Sequence, residues 1–158
     1  MGNTRAMRFI ADAMLGRLAR WLRILGFDTL YDPDIEDRDL LKRAREEDRV
    51  VLTRDTRISR KGLPGVVLVR SDHLEEQLAQ VLLDCGLEPG GEPRCANCNG
   101  DLLAVAEKED IRDAVPEYVY LSHAAFRRCS RCGNVYWEGS QYRRLREKLS
   151  RMAPGGGK

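Results

Sequence analysis

The sequence predicts an α/β domain with a mostly parallel sheet, followed by a small ribbon stapled by a metal ion. Three observations carry this. Short apolar runs alternate with stretches of helical periodicity over the first half of the chain. A Gly/Pro-rich break, GLEPGGEP, then interrupts the pattern at 86–93. Beyond it, two C-x-x-C pairs hold four of the five cysteines.

The elements follow in order. RFIAD at 8–12 reads as a short buried strand ending on an aspartate. Leu15, Leu18, Leu22 and Leu25 recur at helical spacing, and Gly26 closes that helix. Met14 and Leu15 are assigned to its core face, and Trp21 reads as a core aromatic, with stacking on a base as the alternative. Phe27 to Tyr31 make a second strand, and the polar turn DPDIEDRD leads into a second helix, DLLKRAREED. Arg49 to Thr53, RVVLT, is a β-branched run ending at Arg54-Asp55. TRISRKGLPG reads as a loop or a single helical turn, and Val66 to Val69 as a fourth strand. A third helix, LEEQLAQVLLDCG, takes Asp72 as its N-cap with Glu75 at the capping-box position. The strands lack alternation, as expected when both faces of a sheet are covered. The expected division is an α/β domain at 7–88, a linker at 89–93, a ribbon with a basic C-terminal helix at 94–152 and a disordered tail at 153–158.

Composition narrows the class. A chain of 158 residues, 42% hydrophobic and 33% charged, describes a soluble globular protein. Chains of this size bury roughly two-thirds of their unfolded surface. No apolar run approaches the ~20 residues that span a bilayer, and no apolar signal segment is seen near the start. The expectation is a cytoplasmic protein without a membrane partner. The net charge is only +2, but residues 127–151 carry eight basic side chains against Glu138 and Glu147. Such a local excess is the footprint of a polyanion. Arginine outnumbers lysine 22 to 5, which suits bidentate phosphate contacts, though a GC-rich genome gives the same bias.

Without a secretion signal, paired cysteines point to metal before disulfide. Cys95, Cys98, Cys129 and Cys132 lie in RCANCNG and RCSRCGN, two knuckles that each deliver two thiolates to a tetrahedral zinc. Asn99-Gly100 and Gly133 supply the residues that such turns place at positive φ. The 30 residues between the knuckles exceed the common template, which predicts an inserted hairpin or loop around DIRDAVPEYV. Neither pair follows a strand in a βαβ unit, so redox dithiols are disfavoured. Four cysteine ligands close the shell, making the zinc structural rather than catalytic. Cys85, in LLDCG, reads as a small apolar residue.

The chemistry must then come from elsewhere. His73 and His123 sit near no nucleophile, and no phosphate-binding glycine loop is present. Aspartates end the strands instead: Asp12 the first, Asp55 the third, with Asp72 after the fourth and Asp37 or Asp39 opening the second helix. Ligands of an open α/β sheet bind outside the carboxyl ends of its strands. Carboxylates gathered there suit Mg²⁺ or Mn²⁺ and the hydrolysis of a phosphodiester. Each aspartate alone also reads as a helix cap or a turn residue.

FIADAMLGRLARWLRILGFDTLY, the run Asp37 to Ala44, RVVLTRD, CANCNGDL and CSRCGNVYWEGS together resemble the PIN-like ribonuclease domain first described at the C-terminus of the mut-seven exonuclease. The resemblance covers about residues 8–146. It implies a three-layer PIN-like fold and a metal-dependent ribonuclease that cuts RNA endonucleolytically, leaving a 3′-hydroxyl and a 5′-phosphate. By position it implies Asp12, Asp37 and Asp55 as Mg²⁺ or Mn²⁺ ligands, with Asp72 fourth in the catalytic set. Gln141 stands where family members often carry histidine.

For the substrate, single-stranded or structured RNA, the candidate contacts are Arg17 and Arg20 on the first helix, Arg54 beside Asp55, and Tyr136 and Trp137 after the second knuckle. Arg23 continues the three-residue repeat and Arg57 lies just beyond Asp55. One of the two aromatics is expected on the zinc site and the other toward RNA. The alternatives are a non-catalytic RNA- or protein-binding module on the same fold, or a factor directed to DNA. A homodimer through an exposed sheet edge is compatible with the pattern.

Overall fold

Apolar runs only three or four residues long become strands here because helices cover both faces of the sheet they form. The computed structural model describes residues 7–59, 65–89 and 91–152, so the expected tail at 153–158 and the centre of the TRISRKGLPG loop lie outside the described residues. Strands β1 (Phe9–Ala11), β2 (Thr29–Tyr31), β3 (Val50–Thr53) and β4 (Val66–Leu68) pair in the order β2-β1-β3-β4. Every pair is parallel, with Phe9 opposite both Thr29 and Val50.

Alternate strand residues face opposite layers. Phe9, Ala11 and Leu52 bury against α1 (Gly16–Ile24) and α4 (Leu74–Cys85), through Leu18, Leu22, Leu78 and Leu82. Ile10 and Val51 bury on the other side against Leu40, Leu41 and Ala44 of α2 (Asp37–Glu47) and Ile58 of α3 (Thr56–Ser59), the single helical turn. The result is three layers. Gly26 ends the first helical segment at φ +100, and a Cβ there would stand 2.8 Å from the carbonyl carbon of Gly91. The linker therefore runs directly over the end of α1.

Several local expectations are revised. Met14 is 75% exposed, because a 3-10 turn at Ala13–Leu15 precedes α1 and rotates it away from the core that takes Leu15. Trp21 is half-buried at the rim of that core. The N-cap position of α4 is His73, not Asp72. The Ser71 hydroxyl accepts the His73 N–H at 3.0 Å and donates to Glu76 at 2.6 Å, a local turn that leaves Asp72 facing outward.

The second sheet is antiparallel, β5 (Leu102–Ala104), β6 (Arg127–Cys129) and β7 (Val135–Tyr136) in that order. The insertion between the knuckles is helical rather than a hairpin. A 3-10 segment at Lys108–Ala114 leads to α5 (Glu117–Ser122), and Ile111, Val115 and Val119, spaced four apart, bury with Phe126 in a core of their own. The last helix, α6 (Ser140–Met152), leaves the ribbon. Its Leu145 and Leu149 are buried in the core of α1 and α4, and Lys148 pairs with Glu75 of α4. Among the described residues no helix is long and apolar enough to cross a membrane.

Because Leu149 is fully buried in that shared core, Leu149→Ala is expected to lower unfolding stability by about 2–5 kcal/mol. Urea titration followed by circular dichroism should show one transition at a lower midpoint. An unchanged midpoint would mean that α6 is not part of this core.

Candidate active edge and metal centre

β1 has β2 on one side and β3 on the other, so the chain reverses its direction of sheet growth between β1 and β3. In open parallel sheets the crevice beyond the carboxyl ends at such a point is where ligands bind. Asp12 leaves β1 there and Asp55 follows β3 by two residues. Thr53, fully buried at the end of β3, joins them. Its hydroxyl donates to Asp12 Oδ2 at 2.8 Å and accepts the Asp55 backbone N–H at 2.9 Å. The Asp12 backbone N–H in turn donates to Leu52 O at 2.9 Å. The Asp12 side chain makes no capping hydrogen bond to the 3-10 turn after it, although the residue is only 8% exposed.

Asp55 is held differently. Arg57 donates to Oδ1 from its backbone N–H at 2.8 Å and from Nε at 3.2 Å, and to Oδ2 from Nη2 at 3.0 Å. The Arg57 guanidinium keeps the Asp55 carboxyl below the usual carboxylate range. The arginine's own pKa is raised by Asp55 and, more weakly, by Asp37. Asp37 is exposed in the first turn of α2, within electrostatic reach of Arg57, and Asp39 is exposed in the same turn. Asp72 is exposed beyond β4, its carboxylate 3.5 Å from His73 Nε2. Asp12 and Asp55 thus meet through Thr53 while the other carboxylates stand further out. Among the described residues only the cysteines bring three or more ligand atoms within 4.8 Å of one another.

The basic and aromatic candidates separate as well. Arg17 and Arg20 are exposed on α1. Arg23 is buried and structural, which removes it from any phosphate-binding face. Arg54 is exposed, its Nη2 donating to Arg70 O at 3.4 Å. Tyr136 sits on the cysteine cluster with its hydroxyl 3.0 Å from Cys95 Sγ. Trp137 is half-buried and packs edge-on to Phe126, ring centroids 6.4 Å apart, with His123 at 6.5 Å. Both rings therefore support the ribbon.

Cys95 and Cys132 have sulfurs 3.5 Å apart, as do Cys98 and Cys129. Asn99 and Gly133 take positive φ, 70 and 82. Gly100 does not; it is required for space, since a Cβ there would lie 2.9 Å from Cys129 Sγ. Burial pushes the Cys98 thiol up to about 12, and the other three cysteines reinforce this against a donation from the Gly100 N–H. Burial also raises Cys129, but N–H donations from Cys132 and Arg131 outweigh it and bring the thiol to about 6. Four sulfurs so crowded ionise together only around a cation, and an all-thiolate set fits zinc.

A network not foreseen from the sequence ties this centre to the α/β domain. Arg23 of α1 donates from Nε to Thr29 O at 2.8 Å and from Nη1 to Ala96 O at 3.0 Å in the first knuckle. Asn99 accepts the Thr29 N–H at 3.1 Å and donates to Asp28 at 2.7 Å. Burial lowers the Arg23 pKa, so the charge is held there against a desolvation cost. The asparagine after a C-x-x-C pair was the signal available in the sequence, as was the threonine two residues before Asp55.

A family model described as Mut7-C RNAse domain matches residues 7–149. The chain belongs to this family. The Mut7-C match takes in both the carboxylate edge and all four cysteines, and the family implies ribonuclease-type activity with RNA as substrate. No curated protein and no solved structure gives a significant match.

Purified protein is expected to contain one zinc per chain, and Cys129→Ser to lose it by metal analysis. Because the first knuckle is bonded to Arg23 and Thr29, that loss should also speed amide exchange in β2 and at the end of α1. Exchange confined to the ribbon would mean that the two parts are not coupled.

Proposed function

We propose that this Mut7-C domain is a metal-dependent endoribonuclease that hydrolyses RNA phosphodiester bonds at the carboxyl edge of its parallel sheet. The observation that carries the reading is the hydrogen-bonded bridge Asp12–Thr53–Asp55 at the topological switch point. Thr53 fixes one oxygen of Asp12, and Oδ1 has no hydrogen-bond partner among the described residues. Asp12, Asp37 and Asp55 would hold Mg²⁺ or Mn²⁺, with Asp72 at the outer rim. Asp37 is favoured over Asp39 by its interaction with Arg57. When bound, the ion supplies charge neutralisation and an activated water at neutral pH.

The chain's own residues do the rest. Asp12, nearly buried, gives the site a rigid carboxylate held by the sheet. Arg57 is 82% exposed along its side chain, so it can leave Asp55 at little cost and turn to a substrate phosphate. Arg17 and Arg54 flank the edge and would contact neighbouring phosphates, positioning the strand. The four cysteines would carry one structural zinc, which takes no part in cleavage.

Two observations favour a second reading, an RNA-binding module without catalysis. Arg57 already neutralises Asp55, and the carboxylates are not drawn together as the cysteines are.

End-labelled single-stranded RNA incubated with Mn²⁺ or Mg²⁺ separates the two. Cleavage by the wild type, lost in Asp12→Asn and in Asp55→Asn with zinc content and fold intact, is expected. Binding without cleavage would favour the second reading. Thr53→Val, which removes the bridging hydroxyl but keeps the shape, should lower cleavage by about 10–100-fold. Thr53→Ser should restore most of it, with RNA affinity unchanged throughout. Equal cleavage by Thr53→Val would remove Thr53 from the positioning of Asp12.

A further inference from the structure

Arg17 and Trp21, one turn apart on α1, face α6 across a groove of about 930 Å³. The far wall is α6, which presents Arg144, Leu145, Arg151 and Met152, and the N-terminal turn of α4 closes one side. Both α1 and α4 begin where β1 and β4 end, so the groove opens at the same edge of the sheet as Asp12.

Its charges are unevenly spent. Glu75 is paired with Lys148, and Glu76 accepts the Ser71 hydroxyl. Arg17, Arg144 and Arg151 have no hydrogen-bond or ion-pair partner among the described residues, and Glu147 is the one groove carboxylate equally uncommitted. Three free guanidinium groups therefore surround a half-buried indole, with Leu145 and Met152 beside it. A folded domain gains nothing internal from that arrangement. Guanidinium groups bind phosphates and an indole face stacks on bases without regard to sequence.

We infer that this α1–α4–α6 groove is a track for single-stranded RNA, in which Arg17, Arg144 and Arg151 contact phosphates and Trp21 stacks on a base. The inference rests on RNA being the substrate and extends it, since it places the strand on α6 and on Trp21 rather than on the aromatic pair of the ribbon. The track delivers the strand to the carboxylate edge from the side of α1. A duplex is not matched by it, because the indole needs an unpaired base.

The test uses the zinc-loaded full chain and a short fluorescein-labelled oligouridylate without added Mg²⁺ or Mn²⁺, so that binding is read apart from cleavage. Anisotropy should show the Kd of Arg144→Glu/Arg151→Glu raised about ten-fold or more, with the salt dependence of log K reduced by about 0.7 for each phosphate no longer neutralised. Arg38→Glu/Arg45→Glu on α2, on the opposite face of the sheet, changes net charge equally and should leave binding within two-fold or so of wild type. RNA should quench tryptophan fluorescence in Trp137→Phe but not in Trp21→Phe. Equal weakening by both charge reversals, quenching that survives Trp21→Phe, or no binding by the wild type would each overturn the track. Reversals that leave RNA affinity unchanged would assign the groove to a peptide instead and overturn it too. If groove variants bind weakly while the wild type binds without cutting, the track stands and the nuclease reading fails. If the wild type cuts and the groove variants bind normally, the nuclease reading stands and the track fails.

Discussion

A buried arginine is the constraint on which the two halves of this molecule depend. Arg23 sits on the helix that follows Asp12, yet its guanidinium is spent on Thr29 O and on the carbonyls of Ala96 and Asn97 in the first cysteine knuckle. Hydrogen bonds to a charged donor contribute about 1.5–3 kcal/mol each in net terms, and an orphaned buried charge costs more. The knuckle therefore cannot drift from α1 without stranding that charge. Asn99 and Arg94 extend the same grip to Asp28, whose carboxyl is raised by burial but brought below its ordinary range by Arg49, Asn99 and Arg94. The four-cysteine cluster acts as a clasp on β2 and α1, and through α1 it supports the segment that carries Asp12.

The helix α6 closes the assembly from the other direction. A ribbon of short antiparallel strands buries little on its own. Leu145 and Leu149 answer this by returning the chain to the α/β core. The linker at 89–93 is consequently not a hinge between independent bodies: Gly26 and Gly91 approach each other closely, and Arg94 N–H donates to Arg23 O at 2.8 Å. The carboxylate edge and the exposed arginines of α1 belong to the α/β segment itself, and the return of α6 to its core brings the basic helix alongside them.

The fold was largely legible in the residues. Strand, helix and strand alternation appears as apolar runs separated by helical repeats because those periods are local, set by Cβ directions along the backbone. The two knuckles were legible for the same reason, since a C-x-x-C turn presents its sulfurs within a few residues. What stayed hidden was pairwise and distant. Arg23 shares its three-residue spacing with Arg17 and Arg20, and nothing in that spacing shows that it alone is buried. Asp72 reads as a helix cap, yet the Ser71 turn moves the start of α4 on by one residue to His73.

By itself the sequence determined the class of the fold, the four clustered cysteines, the family and the aspartates at the strand ends. Each of these is written in short-range pattern. The tertiary structure alone decided that Thr53 couples Asp12 to Asp55, that Arg57 occupies Asp55, and that the 30-residue insertion between the knuckles builds a helical core. It also decided that α6 packs against α1 and α4, where its free arginines face Trp21 across a groove. These depend on which surfaces meet when distant segments pack, and burial, which selects among chemically identical residues, exists only after they have met.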